Sequence, residues 1–307
     1  GITRSGKSLL TNILPTFENF EHIDVAYELE ILMQNYYCKK MTLDALRTLV
    51  QKNLLEKAYN RLLSRSLNLR KEDQTGLNNY PFKKKYLQRL KNKDGDKIII
   101  ELNKSKNYFP FQTHDLMFHK KGLLNLGLNL KIIEIYRNPF DLADSWIRKD
   151  IESRLTTDIR MWVYPTLKFK NNFKGAWYHL FVKKYFSIWH KFNRFERTSL
   201  IIIEMIKNSI KNQKQLKKNI SILTLNYEEI IYDENLLEKL EKFLGEKSTI
   251  HTKSYLKKAR IPRNSIKKNQ TRVKNLIKNN IDKKIFNKLE NLETKYNQKT
   301  YGLESTT

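Results

Sequence analysis

The chain is expected to fold as an α/β protein, a central parallel sheet flanked by helices. Three observations carry this. Apolar runs of strand length alternate with amphipathic helical stretches, an order that pairs strands in parallel and lays crossover helices on the sheet faces. The chain opens on a glycine-bounded loop, GITRSGKS, which runs straight into a helical pattern. Glycine (9) and proline (6) are scarce among 307 residues, too few for a sandwich built on tight turns.

Taken in order, KSLLTNIL reads as a helix stopped near Pro15. A short apolar stretch at Ile23–Val25 precedes a helical pattern. Residues 41–70 carry apolar side chains at i, i+3, i+4 and i+7 and read as an amphipathic helix or pair. KEDQTGLNNYPF reads as a loop. DKIIIEL, after the turn KDG, is expected to be a buried strand, and THDLMFHKKGLLNLGL a helix closing on glycine. KIIEIY is a second strand, followed at once by the helix NPFDLADSWIRKDI. Residues 174–197 read as helical, with Trp177, Phe181, Tyr185 and Trp189 on one core-facing side. SLIIIEMI is also of strand length. ISILTLNYEEI is a third strand, DENLLEKLEKFLG a helix ended by Gly245, and the tail from about 250 is basic and helical, with a loop at ARIPRNS. No repeat or domain boundary interrupts the pattern, so residues 1–307 are expected to form one domain, with helical insertions around 29–95 and 150–190.

The formal net charge is +27 and the pI about 9.9. A field of that sign attracts polyanions and phosphorylated nucleotides. The lysines are nevertheless scattered among Asn and Ile, and no nucleic-acid-binding module accompanies them, which speaks against a nucleic-acid partner. Cys38 stands alone, so no internal disulfide forms. No apolar run reaches the 18 or more residues of a membrane span. With no visible leader, the expected location is cytoplasmic. A loop like GITRSGKS ordinarily follows a strand. The first strand of the sheet, and any targeting segment with it, is therefore expected to be missing from the sequence.

Two stretches carry the chemistry. Gly1, Gly6, Lys7 and Ser8 satisfy G-x-x-x-x-G-K-[ST], the phosphate-binding loop of nucleotide hydrolases and kinases. In IYRNPFDLADSW, Arg137 sits at the carboxyl end of a strand, where open α/β sheets bind ligands. Asn138 is a good N-cap and Pro139 takes the first helical position. Ser145 follows two turns on. An Arg fork and a Ser hydroxyl suit a phosphate, although an Arg–Asp pair beside a capping Asn–Pro explains the same residues.

Together, RSG-x-S-LL near the start and YRNPxDxxxSW some 130 residues later resemble the sulfotransferase superfamily that uses 3'-phosphoadenosine 5'-phosphosulfate (PAPS) as donor. LTLNYEEIIYDENLLEKLEKFLG is similar to a strand and helix of the same family. The first loop resembles the GxxRSGTTLL form of bacterial and tyrosylprotein sulfotransferases, with Lys7–Ser8 in place of two threonines. The resemblance implies a P-loop-NTPase-like sulfotransferase fold and no metal. It implies that residues Arg4, Ser5, Gly6, Lys7, Ser8 and Leu9 hold the 5'-phosphosulfate. Arg137 and Ser145 hold the 3'-phosphate, and Arg4 and Lys7 supply fixed charge in catalysis. A late basic loop with Arg263 and Lys267 would close over the donor.

The acceptor, a hydroxyl or amine, needs a base. By resemblance to the tyrosylprotein enzymes this is Glu28 in VAYELE, which also reads as a solvated helix-start residue. Cytosolic sulfotransferases place a His after the strand equated here with DKIIIEL. Asn103 and Lys104 stand there, so that arrangement is disfavoured. His114, His119 and Glu101 remain as further candidates, the two histidines reading as ordinary helix residues. The acceptor stays open between glycan, lipid, peptide tyrosine and small alcohol. Two other classes stay open too: a P-loop kinase or NTPase using Gly1–Ser8, and a non-catalytic polyanion-binding protein.

Overall fold

The computed structural model describes residues 1–73, 75–93, 95–158, 177–260 and 265–298. Its elements run, in chain order, α1 (Lys7–Thr11), β1 (Asp24–Val25), α2 (Tyr27–Tyr37), α3 (Leu43–Leu62), α4 (Lys83–Arg89), α5 (Asp96–Lys104), β2 (Phe111–Gln112), α6 (Lys120–Leu124), β3 (Lys131–Tyr136) and α7 (Pro139–Arg148). After these come α8 (Ile151–Thr157), a 3-10 run at Trp177–Lys191, α9 (Arg194–Leu216), β4 (Ser221–Asn226), α10 (Tyr227–Tyr232), α11 (Leu236–Leu244), α12 (Ile250–Ala259), α13 (Ser265–Lys278) and α14 (Lys283–Asn297).

The α/β class and the parallel pairing are observed. The single central sheet is not. β3 and β4 pair in parallel from Lys131↔Ser221 to Tyr136↔Asn226. β1 and β2 form a separate parallel pair, Asp24↔Phe111 and Val25↔Gln112, prolonged by a bridge between Phe20 and Tyr108. A groove of about 400 Å³ is lined by residues from both pairs, among them Phe111 of β2 and Ile132 and Ile133 of β3.

One run expected as a strand, and a second noted for its strand length, are helices. DKIIIEL forms α5, in which Ile98 is buried while Ile99 and Ile100 stay about half exposed. One buried side chain in three consecutive isoleucines is a helical pattern, not that of a strand buried on both faces. SLIIIEMI lies inside α9, whose start is fixed by a capping box in which Asn193 and Glu196 satisfy each other's backbone N–H. The expected helix at 113–128 is shorter: His114 and Asp115 lie in a bend, and only Lys120–Leu124 is α-helical. Of the expected helix at 174–197, Trp177–Lys191 form the 3-10 run and 194–197 open α9. Phe181, Tyr185 and Trp189 of the run pack into the core beside α9, while 174–176 and the Trp177 side chain lie outside the described residues.

β3, α7 and α11 stand where the sequence placed them, with Gly245 ending α11 at φ 77°. Of ISILTLNYEEI, β4 takes only Ser221–Asn226, and YEEI opens the helix α10. α9 and α7 are the spine of the main core, where Trp146, Ile201, Ile202, Ile203 and Met205 are fully buried. The insertion carrying α4 is fastened by Glu21, which is wholly buried. Arg89 donates to it twice, at 2.8 and 3.0 Å, Lys85 donates at 2.8 Å, and the Tyr86 hydroxyl also donates. Burial alone would raise the Glu21 carboxyl, but the hydrogen bonds and charges of Arg89 and Lys85 outweigh it and hold its pKa below the usual range.

Candidate functional site

The opening loop, the 137–146 stretch and the start of α10 meet at one place. β3 delivers Arg137 at its carboxyl end. Asn138 caps α7, its side chain accepting from Phe140 N (2.9 Å) and Asp141 N (3.4 Å), with Pro139 at the first helical position. The cap fixes the direction of α7 and so points Ser145 and Trp146 at the loop. Arg4 Nε donates to Ser145 Oγ at 3.1 Å, Arg137 Nη1 donates to Arg4 O at 3.1 Å, and Trp146 Nε1 donates to Thr3 O at 2.8 Å. The loop itself is tightly wound, with Arg4 at φ 73° and Gly6 at φ 105°.

Gly6 is required twice over. Its φ lies where side chains other than glycine are strained. A Cβ there would also meet the Tyr227 ring at 2.4 Å. That ring carries the Arg137 guanidinium 4.8 Å from its centroid. Tyr227, the first residue of α10, is therefore the wedge between the two motifs. Its stretch was noticed in the sequence, but nothing there assigned Tyr227 to the site.

Two buried donors at this junction lack a partner among the described residues: Ser5 Oγ, in a residue 1% exposed, and Arg137 Nε. Buried polar groups are nearly always satisfied, so orphans mark a place where a ligand or solvent completes the structure. Ser8 and Leu9 are partly exposed. Lys7 turns back into the loop: its Nζ donates to Gly1 O (2.6 Å) and Ile2 O (2.9 Å). Burial pushes its pKa down to about 8, against the pull of Glu134, Glu30 and Asp115. Asp141 is raised to about 6 by burial, with Arg137 opposing. Its turn of α7 adjoins Arg137 without an ion pair to it among the described residues.

The base candidates are separated by the fold. Glu28 lies on the exposed side of α2 and pairs with Lys57 at 3.3 Å. Glu101 is exposed on α5. His119 is buried, and burial pushes its pKa down to about 3, so it stays neutral. His114 is different. It is no helix residue but follows β2 by two positions, and its ring Nδ1 lies 3.1 Å from Glu30 Oε1, with its backbone N–H also donating to Glu30. Glu30 is buried on α2 and is one of the acids acting on Lys7. Thr113 and Lys7 line the same small cleft, and Thr11 Oγ1 donates to Gln112 Oε1 at 2.5 Å. The His114–Glu30 pair thus flanks the Lys7 side of the loop.

No known protein family, curated protein or solved structure matches the chain.

Among the described residues no group of three or more His, Cys, Asp or Glu side chains has metal-binding geometry. No helix among them is long and apolar enough to cross a membrane. Arg263 lies outside the described residues, as does the side chain of Lys267.

Proposed function

We propose that the protein is a sulfotransferase that moves a sulfuryl group from PAPS to a hydroxyl or amine acceptor. One observation carries the reading: Arg4, Ser145 and Arg137, drawn from two motifs more than 130 residues apart, are joined by direct hydrogen bonds around two orphaned buried donors. Those donors suit a ligand rich in anionic oxygen. When bound, PAPS supplies an activated sulfuryl group on a nucleotide bisphosphate leaving group.

The chain's own residues divide the work. Arg137 and Ser145 take the 3'-phosphate: the guanidinium keeps Nε in reserve, and the Ser145 hydroxyl accepts from Arg4 while its own hydrogen is left to donate. Arg4, held in place by Ser145, sets positive charge over the loop, where charge develops on the leaving group. Lys7 in this arrangement acts from beneath, through its field and by bracing the loop carbonyls. His114 takes the acceptor's proton, and Glu30 holds its ring and stabilises the imidazolium. His114 follows β2 rather than DKIIIEL, and we take β2 for the strand after which cytosolic sulfotransferases carry a histidine.

The decisive experiment compares nucleotides. Calorimetric binding of 3',5'-ADP should be weakened about 10- to 100-fold by Arg137→Ala, the loss of one or two charge-assisted bonds, while 5'-AMP binding stays near the parent value. Equal loss for both nucleotides removes Arg137 from the 3'-phosphate. Thermal stabilisation by ATP with magnesium but not by 3',5'-ADP would return the loop to a kinase or NTPase.

A further inference from the structure

A cavity of about 510 Å³ lies between the carboxyl end of α2, residues 118–122 and α9. That volume is in the range of sites for drug-sized molecules. Its body is apolar. Met33, Met41, Phe118 and Phe181 line it, and the Phe118 and Phe181 rings lie 4.1 Å apart between centroids. Its charge is of one sign: Lys39, Lys120 and Lys121 line it, and no carboxylate does among the described residues. The Lys120 ammonium is engaged by Gln215. Lys39 and Lys121 are exposed, and among the described residues neither pairs with an acid.

The cavity and the Glu30–His114 pair draw on the same helix, α2. Glu30, Met33 and Tyr37 are spaced i, i+3 and i+7, one face of α2. At the helical rise, Met33 and Tyr37 lie about 5 and about 10 Å along the axis from Glu30. His119, a lining residue, stands five positions after His114 and presents an uncharged imidazole to the interior.

The geometry points to this cavity as the binding site of an amphiphilic anion: a fused-ring or similar apolar body, its carboxylate, sulfate or phosphate group at Lys39 and Lys121, its hydroxyl turned toward the Glu30–His114 pair. The apolar lining desolvates the body, and the two unpaired ammonium groups select the charge. That the bound molecule is the sulfuryl acceptor rests on the transferase reading; that it binds here does not.

The test is fluorescence titration of the full chain with 6-hydroxy-2-naphthoate, and with 2-naphthylmethylamine as the cationic counterpart. The naphthoate should bind saturably at one site, and the amine at least about tenfold more weakly. Lys39→Glu with Lys121→Glu should weaken the naphthoate at least about tenfold. Asn208→Phe, which fills the cavity from α9 and gives up only a bond to its own helix at Glu204 O, should abolish it while the thermal melt stays cooperative. No binding of the naphthoate, equal binding of amine and naphthoate, or parent-like affinity in the folded variants overturns the assignment. Titration with 3',5'-ADP runs beside it. If the naphthoate behaves as stated and 3',5'-ADP fails to bind, the cavity stands and the transferase reading falls; with the results reversed, the transferase reading stands alone.

Discussion

Gly6→Ala tests how the loop is held. Gly6 sits at φ 105°, ψ 9°, where a Cβ costs about 1–2 kcal/mol of backbone strain. The added Cβ would meet Tyr227 Cδ2 at 2.4 Å and Cε2 at 2.8 Å. Neither atom is the loose end of a side chain: Tyr227 is 4% exposed and its ring carries Arg137. Overpacking of this kind costs about 1–3 kcal/mol. The two contributions together predict a loss of about 2–5 kcal/mol. They separate in a double-mutant cycle. In a Tyr227→Ala background the clash is gone, so Gly6→Ala should cost only the strain, about 1–2 kcal/mol, leaving a coupling of about 1–3 kcal/mol. Urea unfolding followed by circular dichroism reads each corner of the cycle. The same cost in both backgrounds, or a loss below about 0.5 kcal/mol in the parent, would show that Tyr227 does not press on the loop.

His114→Ala should lower turnover by about a hundredfold to ten-thousandfold in an assay of 3',5'-ADP release, while Glu28→Gln leaves it within about twofold; parent-like turnover in His114→Ala would take the base role from His114. Glu21→Gln leaves Arg89, with a side chain 10% exposed, without its buried counter-charge, and should cost about 3–5 kcal/mol by urea midpoint; an unchanged midpoint would mean that the α4 insertion is not fastened there. Acidification should destabilise the fold. Burial, aided by Arg61, holds His22 at about 4, and burial alone holds His119 at about 3, both below the usual value. The unfolded chain thus binds more protons as pH falls below about 6.5, and stability drops by up to about 1.4 kcal/mol per pH unit for each histidine. Asp141, raised to about 6 by burial, and Glu152, also raised by burial, have the opposite sign over part of that window, while the Gly1 amine, lowered by burial, acts with the histidines. Urea midpoints at about pH 7 and pH 5 measure the balance, and a higher midpoint at the lower pH would show that the histidines do not titrate as buried neutral groups.

The site was more legible than the sheet. The caps at Asn138–Pro139 and Gly245 are local chemistry, written in adjacent residues, and the structure carries both. DKIIIEL and KIIEIY have nearly the same composition, yet one is α5 and the other β3. Their difference lies in tertiary partners: KIIEIY finds β4 alongside, whereas DKIIIEL packs Ile98 against α3. Short apolar runs hold no period long enough to decide this. For SLIIIEMI a signal did exist, the Asn193–Glu196 capping box just upstream. β2 is two residues long and left no pattern. Its invisibility tied the base argument to DKIIIEL and left His114 reading as an ordinary helix residue. Arg4, Arg137 and Ser145 were legible because motifs name them. Tyr227 and Glu30 were not, because what they do depends on residues far away in the chain.

The seam between loop and helix has a temporal consequence. Arg4 and Ser145 are 141 positions apart, Thr3 and Trp146 are 143, and Gly6 leans on a tyrosine at 227. Each helix can form early from its own sequence, but this junction exists only after the most distant segments have come together. On the ribosome, this junction is absent until β4 and Tyr227 have emerged. A chain ending before residue 227 would lack the ring on which Gly6 leans.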